Sequence, residues 1–157
     1  MKKFGILMLA ATLALTACSK SKKGDELPTA ANADENTMGD SDSGKAMGLQ
    51  TIHFAYDAYT LDDENKATLK SDAQILKDKP SLKVQVEGHC DVRGGIQYNI
   101  ALGEKRANSV KKFLTSQGID ASRITTISYG KEKPIDQGSS DEANAKNRRA
   151  NFAITAR

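Results

Sequence analysis

The sequence predicts an α+β domain, a two-layer sandwich in which a mixed four-stranded sheet carries helices on one face. Two observations point there. Short stretches with period-2 alternation interleave with stretches of helical period in the order β-α-β-α-β-(α)-β. All of them lie between Leu49 and Arg157, and the chain ahead of Leu49 shows no such pattern. With 157 residues there is room for one domain plus appendages.

The elements follow in order. Thr51 to Tyr56 alternates, with Ile52, Phe54 and Tyr56 on one face and His53 on the other. A helix is expected from Asp62 to Lys79, with acidic residues in its first turn and a stripe of Leu69, Ala73 and Leu76; Pro80 stops it. Leu82 to Gly88 reads as a strand with Leu82, Val84 and Val86 inward, running into the loop His89 to Gly95. A long helix from Tyr98 to Gln117 ends at Gly118, a residue suited to a helix C-terminus. Arg123 to Tyr129 gives a third strand and Ser139 to Asn147 a short helix. Arg149 to Thr155 gives a last strand, on which Ala150, Phe152 and Ile154 alternate.

The first 48 residues are of a different kind. Lys2 and Lys3 precede an uninterrupted apolar run, Phe4 to Leu15, which is short for a bilayer span and has the proportions of a signal-peptide core. Leu15-Thr16-Ala17-Cys18 then resembles a bacterial lipobox. Residues 1–17 are read as a removable leader and Cys18 as the acylated first residue of the mature chain, anchored durably once it carries two or more acyl chains. Ser19, rather than Asp, favours the outer membrane by analogy with enterobacterial lipoproteins. From Ser19 to Gly48 there is no Val, Ile or aromatic residue. Such a composition buries too little apolar surface to offset chain ordering, so residues 18–48 are expected to form a flexible tether. It would span roughly 30 Å as a coil and about 100 Å fully extended.

Charge excludes one class of partner. The formal +3 includes Lys2 and Lys3, and without the leader the chain is close to neutral. There is no electrostatic footprint for nucleic acid.

The long helix carries the sharpest clue. At about 100° per residue, Gly103, Ala107, Val110, Phe113 and Leu114 share one arc, and Arg106 and Asn99 fall inside it. A guanidinium facing a sheet is costly unless paired. In one account Arg106 snorkels or forms a structural salt bridge with Asp91 or Glu87. In the other it offers a fixed fork to a ligand carboxylate at the mouth of a cleft. The loop with Asp91 leaves its strand just before this helix, so both groups could line one cleft and hold a zwitterion. An enzyme or metal reading would rest on His89, Cys90 and Asp91. Adjacent residues at a strand exit point apart, however, and no spaced second ligand pair is present. No enzyme activity, cofactor or metal is expected. With Cys18 lipidated, Cys90 has no partner for an internal disulfide.

The segments Val86-Glu87-Gly88-His89-Cys90-Asp91-Val92-Arg93-Gly94, Tyr98-Asn99 and Leu102-Gly103-Glu104-Lys105-Arg106-Ala107 closely resemble the OmpA-like peptidoglycan-binding domain family. Ser128 to Pro134 and Asn147-Arg148-Arg149-Ala150 narrow the resemblance to its lipoprotein branch. It covers essentially all of Leu49 to Arg157. The resemblance implies noncovalent recognition of the peptidoglycan stem peptide, above all its zwitterionic diaminopimelate. It implies that Asp91 and Arg106 hold this residue, with Phe54 and Asp57 walling the site and Asn99, Leu102 and His89 belonging to the same motifs. Arg148 lies in the late Asn-Arg-Arg motif, and either it or Arg149 points to ligand. Further expected partners are a TolB-like periplasmic protein and the outer membrane, through the lipid anchor. Two departures stand out: Cys90, where relatives carry Thr or Ala, and Gly94-Gly95, where they often carry Gly followed by Thr or Ser.

Overall fold

The computed structural model describes residues 38–157. The leader, Cys18 and the tether as far as Thr37 lie outside the described residues. The elements are β1 (Ile52–His53), α1 (Asp63–Asp78), β2 (Lys83–His89), α2 (Ile96–Ser116), a 3₁₀ turn (Ala121–Arg123), β3 (Ile124–Gly130), α3 (Asp141–Asn147) and β4 (Arg149–Ala156). The sheet order is β1-β4-β2-β3. β4 runs antiparallel to both β1 and β2, and β2 runs parallel to β3, so the sheet is mixed as the element order predicts.

One register carries the core. Val84 lies opposite Ile154, and Val86 opposite Phe152. These four side chains are buried with Leu69, Ala73 and Leu76 of α1 and Ala107, Val110 and Leu114 of α2. The start of α1 is set by Asp62, whose carboxylate accepts from the Asn65 N–H at 2.8 Å. At the other end of α1, Arg123 donates to the carbonyls of Leu76, Lys79 and Leu82 and fastens the helix terminus to the sheet.

Two expectations are corrected. Tyr56 does not face inward and is 61% exposed. The first strand ends at His53, and the last bond to its neighbour is from the Phe54 N–H to the Arg148 carbonyl. Its partner begins at Arg149, so the chain beyond Phe54 has no ladder to join and turns away through Asp57 at φ +51°. The second correction concerns residues 38–48, which composition assigns to the tether. They form a strap along β4, with Asp40 bridging Ala153 and backbone bonds joining Met38 and Gly39 to Ile154 and Ser41 to Phe152. Ser41 Oγ donates to Asn151 at 2.7 Å, Arg149 donates to Asp42 at 2.7 Å, and Ala46 is fully buried. Polar side chains and backbone groups hold this segment, which a count of apolar residues does not register.

Glycine brings α2 onto the sheet. A Cβ on Gly88 would lie 1.9 Å from the Gly103 carbonyl oxygen, and one on Gly103 would lie 2.3 Å from Ser128 Oγ. The backbones of β2 and α2 therefore touch, which sets the first half of α2 over the loop that follows β2.

A buried carboxyl that the sequence reading did not single out lies on α1. Asp72 is fully buried, with Oδ1 accepting from the Gln50 N–H at 3.1 Å and Oδ2 without a partner. Burial pushes its pKa up to about 7, against the pull of that backbone bond. Between the ordinary carboxyl range and pH 7 the native state binds the proton and the unfolded chain does not, so stability falls as pH rises through that window. Asp72→Asn, which cannot ionise, is expected to raise stability by about 2 kcal/mol at pH 8 and to change little near pH 3.5. Denaturant melts at the two pH values check this, and an equal effect at both would rule out the buried charge as its cause.

Candidate functional site

A cavity of about 270 Å³ opens where the end of β2, the start of α2, the turn after β1 and the start of β4 meet. It is lined by three arginines (Arg93, Arg106, Arg148) and two aspartates (Asp57, Asp91), together with Tyr56, Cys90, Gly94, Tyr98, Asn99 and Leu102.

Arg106 forms its floor. The side chain has no exposed surface, and it makes no ion pair among the described residues. Nε donates to the Ala58 carbonyl at 2.8 Å, Nη1 to the His89 carbonyl at 2.8 Å and Nη2 to the Ala55 carbonyl at 3.2 Å. A guanidinium has five N–H groups, so donors remain beyond these three. The Phe54 ring lies beneath, 5.2 Å from the guanidinium carbon. Burial pushes the pKa of Arg106 down, but an arginine stays protonated. The salt bridge to Asp91 or Glu87 weighed above is not formed; Glu87 accepts from Asn151 instead, at 2.8 Å.

Asp91 is engaged by two other arginines. Its Oδ2 takes Arg93 Nη2 at 2.6 Å, Arg93 Nε at 3.2 Å and Arg148 Nη1 at 3.4 Å, while its Oδ1 takes the Arg93 backbone N–H at 3.1 Å. Burial alone would raise this carboxyl, but the bonds from Arg93 and Arg148 outweigh it and hold the pKa below the ordinary value.

Asn99 is buried on the first turn of α2, where its amide donates to the carbonyls of Arg93 (2.7 Å) and Gly95 (3.2 Å). It fixes the loop rather than reaching across the cavity. Asp57 accepts a short hydrogen bond from the Tyr98 hydroxyl.

Of the residues expected at the site, Asp57, Asp91, Asn99, Leu102, Arg106 and Arg148 come together around the cavity. The side chains of Phe54 and His89 do not line it. Phe54 supports Arg106 from below, and His89 contributes only its carbonyl. The His89 ring lies on the other face of the strand, stacked on Tyr129 at 5.4 Å, with neither nitrogen hydrogen-bonded; burial lowers its pKa, which favours the neutral ring. The structure separates the two arginines of the late motif. Arg148 turns to the cavity, whereas Arg149 turns away to Asp42; the first caps α3 and the second opens β4. Sequence reasoning missed Arg93, Tyr56 and Tyr98 as cavity residues. Arg93 follows Asp91 by two positions, the spacing at which an Asp side chain caps a backbone N–H, and that is the signal that could have found it.

Cys90 lies at the cavity edge, 3% exposed, with Sγ 3.3 Å from the Asn99 carbonyl. Burial pushes its thiol pKa up, the opposite of what a nucleophile requires. No cluster of three or more His, Cys, Asp or Glu among the described residues is arranged to hold a metal ion.

The OmpA family model matches residues 53–148, and this chain belongs to that family. Within it, the chain is similar to peptidoglycan-associated lipoproteins. Those of Pasteurella multocida and Haemophilus influenzae are 38% and 39% identical to it, over 94% and 98% of this chain and 95% and 99% of theirs. Among solved structures, the peptidoglycan-associated lipoprotein of Burkholderia pseudomallei is similar with a TM-score of 0.64 and 36% identity, covering 66% of this chain and 88% of that one. The cell wall anchor of the type VI secretion system of Pseudomonas aeruginosa is similar with a TM-score of 0.60 and 30% identity, over 68% of this chain and 80% of that one.

Removing Arg106 should expose how much of the site it holds. Arg106→Ala would leave three carbonyls without their donor and open a void, at an expected cost of about 3 kcal/mol. A thermal melt beside Asp91→Asn, expected to cost under about 1 kcal/mol, checks this; equal losses would contradict the central place given to Arg106.

Proposed function

We propose that this chain grips peptidoglycan noncovalently through its stem peptide and ties the outer membrane to the cell wall. One observation carries the reading: a cavity with two carboxylates and three guanidinium groups, one of them buried without a carboxylate partner. Such a site offers both signs of charge. A ligand carboxylate would go to Arg106 and Arg148, and an ammonium on the same ligand would go to Asp91 and Asp57. Diaminopimelate, with both groups on one side chain, meets that requirement. The family, and names such as peptidoglycan-associated lipoprotein and cell wall anchor among the relatives, support the assignment.

The rest of the mechanism is mechanical. Acyl chains on Cys18 would hold one end in the outer membrane and the cavity would hold the other at the wall. Simultaneous attachment raises the effective concentration of each partner. With the strap from Met38 onward docked on β4, a tether would have to come from Ser19 to Thr37, a length of chain that spans at most about 65 Å. Binding rather than catalysis suits the site, whose cysteine is buried and whose histidine faces the other side of the sheet.

A second surface role is favoured by the exposed apolar side chains near the cavity: Tyr56, Val92, Ile96 and Tyr98 are 61%, 40%, 53% and 55% exposed. They suit a protein partner of the TolB type sharing the wall-binding face.

Co-sedimentation with purified diaminopimelate-type peptidoglycan, no other protein present, tests the reading. The parent chain should pellet with the wall, and folded Asp91→Ala and Arg106→Lys variants should stay largely in the supernatant. A folded parent that remains soluble would leave only the protein-interaction role.

A further inference from the structure

In the ligand-free protein Asp91 is already occupied. Its side chain is 6% exposed, and the Arg93 side chain over it is 40% exposed. Arg93 reaches Asp91 Oδ2 with two nitrogens, and its guanidinium carbon lies over the Tyr56 ring, 4.1 Å from its centroid. A ligand ammonium seeking Asp91 meets a cation in its place.

From this geometry we propose that Arg93 is an internal competitor, a latch that a ligand must displace from Asp91 and that thereby sets which ligands are admitted. The proposal rests on the stem-peptide reading above. Displacement is confined to the side chain. The Arg93 carbonyl stays held by Asn99 at 2.7 Å, and the Arg93 N–H keeps Asp91 Oδ1 in position at 3.1 Å. Arg148 Nη1 remains near Oδ2 at 3.4 Å. Loss of the guanidinium therefore frees the carboxylate without disordering it. The released Arg93 returns to water, where its exposed side chain is readily solvated, and its aromatic contact with Tyr56 is the other attachment given up. A ligand without an ammonium has no need of Asp91 Oδ2 and leaves the latch closed.

Competition of this kind weakens apparent affinity by the fraction of molecules in the open state. The test uses the full chain purified in detergent, as parent, Arg93→Ala and Arg93→Gln. Two fluorescent tripeptide probes are titrated by anisotropy: alanyl-glutamyl-diaminopimelate with its distal ammonium free, and the same peptide acetylated there. Both variants should bind the free-ammonium probe about three- to tenfold more tightly than the parent does, for an open fraction of roughly 10–30%. Binding of the acetylated probe should not change. Weaker binding of the free-ammonium probe by the variants would make Arg93 a ligand contact and overturn the latch, as would equal tightening for both probes. If neither parent nor variants bind either probe, the stem-peptide reading itself fails.

Discussion

The burial of Arg106 is the constraint on which the site depends. A buried guanidinium needs hydrogen-bond partners, and here two segments supply three acceptors: Ala55 and Ala58 from the turn after β1, and His89 from the end of β2. One side chain on α2 thus ties together the pieces that enclose the cavity. It reaches them only because α2 lies against β2 backbone to backbone at Gly88 and Gly103. The bonds satisfy donors but do not neutralise the charge. Carbonyl dipoles stabilise a cation locally, and a positive potential remains at the cavity floor.

The charged groups around that floor are arranged by ordinary strand and turn geometry. Arg148, the cap residue between α3 and β4, faces the cavity, and Arg149, the first residue of β4, turns away and anchors the strap through Asp42. The strap passes Met38 beside Ile154 and Arg157, at the far end of β4 from Arg148. Under the proposed function, β4 lies between the point where the tether leaves and the point where the wall is held. Its bonds to β2 and to the strap would carry that load along the strand.

Much of this was legible in the sequence. Period-2 and helical stretches give every helix and strand to within a few residues except the first strand, and they miss the 3₁₀ turn at Ala121–Arg123. The helical wheel placed Arg106 and Asn99 among buried positions, and both are buried, at 0% and 2% exposure. What the sequence could not show was pairing. Arg106 chooses backbone carbonyls over a carboxylate, and Asp91 chooses the guanidinium two residues along; such choices depend on distances that periodicity does not contain. His89 and Phe54 were read from their motifs as ligand residues, but strand parity places the first on the far face and packing places the second under Arg106. The strap was missed because it is held by polar bonds to the edge of β4, and Asp72 because a single carboxylate on an otherwise ordinary helix gives no sign that the strap-side chain at Gln50 will cover it.

Under the proposed function, the buried guanidinium of Arg106 takes a ligand carboxylate. Titration calorimetry of the full chain in detergent, with a diaminopimelate stem peptide whose side-chain carboxylate is either free or amidated, tests it most directly. Loss of one partner of a buried charge pair costs about 2–5 kcal/mol, so amidation should weaken binding by roughly thirtyfold or more. Equal affinity for the two peptides would contradict the account and leave Arg106 a structural residue alone.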